Sequence, residues 1–489
     1  KLDEELLKMI VLDYQPFSVV ENKGFRGFTK ALDPTYTLPN RKALSWTQMP
    51  QLLDKIRAKI LNVSDVCLTT DCWTSRNETA MTKGFMAVTC HYIDESFKLD
   101  STLLDCFPMT ERHTADNLAS ELVRIAAEWD ITGKVVACVS DNASNIRAAI
   151  NAVGKYVPRF AHTINLIVKQ ALKPIQDVVA KVKAIVEYVH RSTVASERLR
   201  ATQLQMGLEP LKIKQDVTTR WNSTFYMLQR VLDRKDAIIS TLALVNPSLT
   251  TLTFAEWDVV KDACDILKPF EEVTTEVTFT IFVTASKVIL IARGPHRVVQ
   301  RIHGGLCTPG PAVDMVNVLL SEMNTRFHRI EHFTLLAEAT LLDPRFKQRA
   351  FHDPMAADEA SKSVVGVMRG MSSGQVDAPQ EEGASAEDPP SSQALFWEDF
   401  DSRVAVAVTA RNPTSDALME MRGYLAEPLI SRSEDPLAMR VLLQLISIVA
   451  TSVASERVFS KTGQIVTERR NRLNPKKVRQ IVFLNANLP

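Results

Sequence analysis

The chain has 489 residues, 45% of them hydrophobic, and its 58 Lys and Arg balance 57 Asp and Glu, so it is long enough for more than one buried core and carries no uniformly basic or acidic coat. No apolar run approaches the roughly 20 residues of a membrane-spanning helix, and the opening "KLDEELLK" is charged where a signal peptide is not, which points to a soluble, folded chain without a membrane partner. The seven cysteines form no Cys-x-x-Cys pair, which argues against a zinc ribbon or a disulfide framework and fits a reducing, intracellular home. The first residue is Lys1 rather than Met, so the chain reads as part of a longer protein.

Residues 1–65 combine amphipathic helix, as in "MPQLLDKIRAKIL", with the aromatic stretch "YQPFSVVENKGFRGF", and read as an N-terminal accessory helical segment. Three strands follow, "VCLTTD", "GFMAVTCHYID" and "KLDSTLLDCFPM", the last two joined by polar "ESF" as a hairpin. "TADNLASELVRIAAEWDI" has helical apolar spacing with Thr114 as its N-cap, and "KVVACVSD" is a fourth strand. Strand, strand, strand, helix, strand, helix describes a mixed sheet in which the helical crossover makes one pair parallel.

The first and fourth strands both end on an acid, Asp71 and Asp141. If these strands are parallel neighbours, both carboxylates stand at carboxyl ends, where open α/β sheets place their sites. Two carboxylates there repel unless a cation bridges them, and hard oxygen ligands favour Mg²⁺ or Mn²⁺. Taken singly, each acid reads as well as the cap of a turn or helix; Asp141 stands where it would N-cap "NASNIRAAINAV".

From about Phe160 to Leu437 the apolar spacing is almost wholly helical, and within this block residues 371–393, with five acids, no base and three prolines, read as a disordered acidic linker. The chain closes on a helix pair that holds a third acid, Glu456.

The blocks "LTTDCWTS", "CVSDNASN", "FAHTINLIV", "DVTTRWNSTFYML", "LLDPRFK" and "ATSVASERVFSKTGQIVTERRNRLNPKKV" resemble, in this order, those of hAT-superfamily DNA transposases and their zinc-finger BED-domain relatives, from about Asp65 to Leu488. The resemblance implies an α/β plus all-α chain. An RNase H-like mixed-sheet core (66–165) is interrupted by a large helical insertion (166–440) and completed by a C-terminal hAT region (441–489) that returns to the core and serves dimerisation. It implies an acidic triad of Asp71, Asp141 and Glu456 holding Mg²⁺ or Mn²⁺, two ions in all, for cleavage and transfer of DNA strands.

By the same resemblance Trp221 stacks near the distorted nucleotide of a hairpin intermediate and Arg220 faces backbone phosphate. His162 belongs to a motif that the family writes Cys-x-x-His; this chain has Arg159 at the first position, which leaves His162 as an active-site neighbour. "ERRNRLNPKKVR" gathers Arg469, Arg470, Arg472, Lys476, Lys477 and Arg479 against Glu468, a composition suited to phosphate contact or nuclear import; "SKVILIARGPHRVVQRIH" adds Lys287, Arg293, Arg297 and Arg301. The implied partners are transposon ends, target DNA and a second copy of the chain, in the nucleus. "EDPLAMRVLLQLISIVATS" looks shortened against the family's tryptophan-bearing helix, and no BED finger lies within the chain. These departures keep open a rival reading, a domesticated, non-cleaving nuclear protein that binds DNA and regulates transcription.

Overall fold

A computed structural model describes residues 1–75, 83–109, 111–217, 220–249, 251–279, 285–305, 310–373, 413–432, 434–439 and 475–488. The contacts divide the chain into two units, residues 1–328 with 442–489, and residues 329–441.

The first unit is built on a mixed five-stranded sheet. β1 (Val66–Ser75), β2 (Lys83–Ile93), β3 (Leu99–Met109), β4 (Val135–Ser140) and β5 (Lys155–Pro158) lie in the order β3-β2-β1-β4-β5. β1–β2 and β2–β3 are antiparallel; β1–β4 and β4–β5 are parallel. The β2–β3 turn closes because the Asp94 carboxylate accepts from the backbone N–H groups of Ser96 and Lys98, both at 2.9 Å. The helix Ala115–Glu128 begins where its cap was expected, with Thr114 Oγ1 accepting from Asn117 N at 3.3 Å, and supplies the crossover that makes β4 parallel to β1. The short β5 was not anticipated; four residues that end in proline carry too little alternation to signal a strand.

One apolar cluster covers one face of this sheet. It joins Val66, Leu68 and Cys138 of the strands to Leu118 and Leu122 of the crossover helix, to Leu7, Ile10, Leu44 and Ile56 from the first 65 residues, and to the C-terminal helix Pro475–Asn487. Ile481, Val482, Phe483 and Leu484 are all buried, each worth at most about 1.5–3 kcal/mol relative to exposure, and the Phe483 ring packs 5.6 Å from that of Trp129. The two ends of the sequence therefore share one core. Asn485 stitches them together, its amide donating to Val11 O at 3.0 Å and its oxygen accepting from the Tyr14 hydroxyl at 3.0 Å.

The helices after β5 begin with Phe160–Ala171 and include Gln176–Arg191 and Trp221–Asp233. In the second unit, Thr334–Leu341, Pro354–Ser373 and Pro413–Ala426 are helical. There the "LLDPRFK" block has a structural use: Asp343 and Arg345 pair at 2.6 Å with no solvent exposure, and the Lys347 ammonium sits 4.2 Å from the Tyr424 ring and donates to Glu427 O at 3.0 Å.

Candidate acidic site at the strand ends

The site follows from strand register. On β1 and β4, residues of one parity (Val66, Leu68, Cys138) enter the apolar cluster, so the alternate row, Thr69 on β1 beside Val139 on β4 and Val157 on β5, faces the other way. Two residues beyond Thr69, Val139 and Val157 in sequence come Asp71, Asp141 and Arg159. β1 does not end at its acid but runs on to Ser75 paired with β2, whereas Asp141 and Arg159 each directly follow the last residue of β4 and β5. β1 leads away to β2 while β4 leads to β5 on the opposite side, the kind of divergence at which open α/β sheets place their sites.

Asp141 is held by its own loop. Its carboxylate accepts from Ala143 N at 3.2 Å, the Tyr156 hydroxyl donates to its carbonyl at 3.0 Å, and Asn142 Nδ2 donates to Thr163 Oγ1 at 3.3 Å. The N-cap of the following helix Ser144–Ile150 is Ala143 rather than Asp141, so the acid closes a turn just ahead of it. Arg159 is fixed by its backbone N–H, which donates to Ser140 O at 2.8 Å, and it N-caps Phe160–Ala171. Its guanidinium reaches from the β5 end to β1, where Nη1 donates to Asp71 Oδ2 at 2.7 Å; the two side chains are only 12% and 13% exposed.

The electrostatics describe one coupled cluster. Burial pushes the Asp71 carboxyl up, Arg159 works against that shift, and the Asp141 charge adds to it. Cys72 is pushed up to about 12 by burial, with both acids contributing. The half-buried His162, in the first turn after Arg159, is pushed down by burial and then by Arg159, while Asp141 and Asp71 pull it the other way.

Asp71, Asp141 and His162 act on one another electrostatically in this cluster. The third acid, Glu456, lies outside the described residues, as do Arg469, Arg470 and Arg472. Among the described residues no group of three His, Cys, Asp or Glu side chains is arranged to hold a metal ion. The donors that are described, two carboxylates with mutually repelling charges, are of the hard oxygen type that a divalent cation takes. Sequence reasoning missed the contact between Arg159 and Asp71; the departure at the Cys-x-x-His motif was its only signal.

Arg220 and Trp221 stand at the head of the helix Trp221–Asp233. Trp221 opens its helix with its backbone N–H donating to Asn165 Oδ1 at 3.1 Å, and its indole, expected against a nucleotide, is 3% exposed with Phe225 beside it. Lys183, Ser223 and Thr224 gather on the Asp216 carboxylate at 2.6, 2.8 and 2.7 Å, which fixes the segment ahead of this helix. Arg220 is exposed. In the basic tail, Lys477, expected against phosphate, donates instead to Ser45 O at 2.6 Å with its ammonium 4.7 Å from the Trp46 ring, and Arg479 pairs with Asp105. These contacts satisfy two of the tail's charges within the chain. Of Lys476, only its place in the C-terminal helix is described.

A mixed five-stranded sheet followed by a large helical domain is the architecture of an RNase-like protein. Residues 69–164 match the ZBED1 RNase-like domain, residues 157–266 the ZBED1 RNase-like helical domain, and residues 430–488 the hAT family C-terminal dimerisation region. The chain is homologous over its full length to zinc finger BED domain-containing protein 4 of Homo sapiens, 27% identical over 526 residues, and over 97% of its length to the "Putative AC transposase" of Zea mays, 26% identical over 521 residues. It is also 28% identical over 383 residues, 71% of the chain, to zinc finger BED domain-containing protein 6 of Homo sapiens. The chain spans 44%, 63% and 37% of these three relatives respectively. The chain thus carries a match to the hAT family dimerisation region and is homologous along its length to AC transposases and zinc finger BED domain-containing proteins.

Proposed function

We propose that this chain cleaves and transfers DNA strands as a hAT-like transposase, using Asp71, Asp141 and Glu456 to hold two Mg²⁺ or Mn²⁺ ions. The observation that supports this reading is that Asp71 on β1 and Asp141, directly after its parallel neighbour β4, lie close enough for the Asp141 charge to act on the Asp71 carboxyl. When bound, the ions supply positive charge to both oxygens of an in-line displacement at phosphorus. The chain's own part is to fix Asp71 on the interior strand β1 and Asp141 in the turn after β4, and to keep their charges close. Exposed Arg220 and the tail residues Arg469, Arg470, Arg472 and Lys476 are suited to hold backbone phosphate. Trp221 joins them only in a state that uncovers its indole.

DNA and a second copy of the chain are the partners, and the nucleus the compartment, that this reading requires. Because Pro475–Asn487 buries its apolar side in the chain's own core, pairing would use other parts of the matched dimerisation region. The rival reading, a non-cleaving nuclear DNA-binding or transcription-regulating protein, draws on the BED-protein relatives and on the guanidinium that Arg159 sets against Asp71.

A cleavage assay on candidate transposon ends decides between them. Asp71→Asn and Asp141→Asn should abolish Mg²⁺-dependent cleavage while retaining DNA binding and the fold, since an amide keeps the shape and removes the charge. Cleavage that survives either change removes the triad, and no cleavage by the unaltered chain favours the regulator.

A further inference from the structure

Arg159 directly follows β5, and its position is anchored twice, by its backbone bond to Ser140 O and by its place at the head of Phe160–Ala171. Only the side chain is left to move. It crosses from β5, past the end of β4, to reach an oxygen of Asp71 at 2.7 Å. A guanidinium keeps its charge at every pH a protein survives, and with both partners almost enclosed the attraction is screened far less than at the surface. The lone pairs it occupies on Asp71 Oδ2 are ones a divalent ion coordinated by that carboxylate would also seek.

We propose that Arg159 is a resident cation of the acidic site, a competitor that occupies Asp71 until a divalent metal displaces it. The inference rests on the metal-dependent reading above. It assigns to Arg159 a gating role: the guanidinium keeps the strand ends neutralised and folded without metal, and it weakens metal binding by the work of breaking the ion pair. An oxyanion such as a DNA phosphate is the chemistry that would draw the side chain away, because the planar fork pairs with phosphate as well as with carboxylate.

The test is a Mn²⁺ titration, with free ion counted by electron paramagnetic resonance, of the unaltered chain, Arg159→Gln, Arg159→Lys and the double variant Asp71→Asn/Arg159→Gln. Glutamine keeps reach and a donor but no charge, so Arg159→Gln should bind Mn²⁺ about ten-fold or more tightly than the unaltered chain. Arg159→Lys, which keeps a charge without the fork, should fall between the two. The double variant should lose the gain. Arg159→Gln should also melt earlier without metal and recover on adding Mn²⁺, a recovery that a purely structural arginine would not show. Equal or weaker Mn²⁺ binding by both single variants, with binding intact in the unaltered chain, overturns the gate and leaves the metal reading standing. No Mn²⁺ binding by any of the four overturns both.

Discussion

Asn487 holds both backbone atoms of Leu103: its amide nitrogen donates to Leu103 O at 2.9 Å and its oxygen accepts from Leu103 N at 2.7 Å. β3 is an edge strand, whose outward N–H and C=O groups would otherwise be open to pairing with another chain, so one side chain from the C-terminal helix does what a sixth strand would do. Asn487→Ala removes both bonds and should destabilise the first unit by about 1–3 kcal/mol, read as a lower denaturant midpoint. Asn487→Asp, which keeps an acceptor but loses the donor, should lose nearly as much. A midpoint unmoved by the alanine would mean that water replaces the amide at no cost.

Asp105 is buried on the same strand and draws in Arg124 at 3.0 Å and Arg479 from the C-terminal helix. Burial pushes its carboxyl up, with Arg479 the foremost group pulling it back. Arg479→Ala should therefore loosen the C-terminal helix. Because that guanidinium is 38% exposed and Arg124 remains, the expected loss is about 1–2 kcal/mol rather than that of a fully enclosed pair.

The other bases of the tail should behave differently. If Arg469, Arg470 and Arg472 contact phosphate, neutralising two of them should leave the melting temperature unchanged. The slope of log affinity for DNA against log salt should shrink by about 2, at about 0.9 per lost contact. An Arg479 variant would lose stability first. A slope unaffected by the first change returns those residues to solvated surface.

His91 gives the first unit a pH dependence. Its ring is enclosed against Thr69 Oγ1 at 3.1 Å, and burial pushes it down to about 4 from an ordinary value near 6.5. Above pH ~6.5 it is neutral folded or unfolded; between there and about 4 only the unfolded chain takes the proton, so stability falls as pH falls. At about 1.4 kcal/mol per pH unit, this window of about 2.5 units amounts to roughly 3 kcal/mol. His162, also pushed down by burial, adds to the same trend. Asp71 and Asp105, pushed up, oppose it as pH approaches the ordinary carboxyl range, because the folded chain then takes their protons first. His91→Gln should flatten the stability curve across this window relative to the unaltered chain; parallel curves would show that the ring titrates normally.

Much of the sheet was legible because β1 and β4 begin as apolar runs, and because a helix between strands forces a parallel neighbour; the sequence stopped β1 at Asp71, whereas pairing with β2 carries it on to Ser75. What stayed hidden depended on register between distant segments. Asp105, inside the apolar "LLDCF", gives no local sign that Arg124 and Arg479 will meet it 19 and 374 residues away. Arg159 looked like a lost cysteine; its partnership with Asp71 exists only because β5 extends the row by one strand. Asn485 and Asn487 drew no reading from the sequence, yet their amides bond the C-terminal helix to the first helix and to β3.

Trp221 poses the sharpest choice, since the family resemblance gives it to DNA while its surroundings make it core. The indole is 3% exposed, with Phe225 one turn along at 6.4 Å between ring centroids. If that packing is its main role, Trp221→Ala should cost about 3–5 kcal/mol, melt early and weaken every activity together, while Trp221→Phe should recover most of the stability. If instead the helix start opens to let the ring stack on an unpaired base, the alanine variant should keep near-normal melting and first-strand nicking. It should then lose about 1–3 kcal/mol at the step that needs an extruded nucleotide, hairpin formation or second-strand cleavage. The burial observed here favours the first outcome. Melting, nicking and hairpin yield measured on one preparation separate the two, because a stacking residue cannot lower the melting temperature of the DNA-free chain by removing a contact it makes only with DNA.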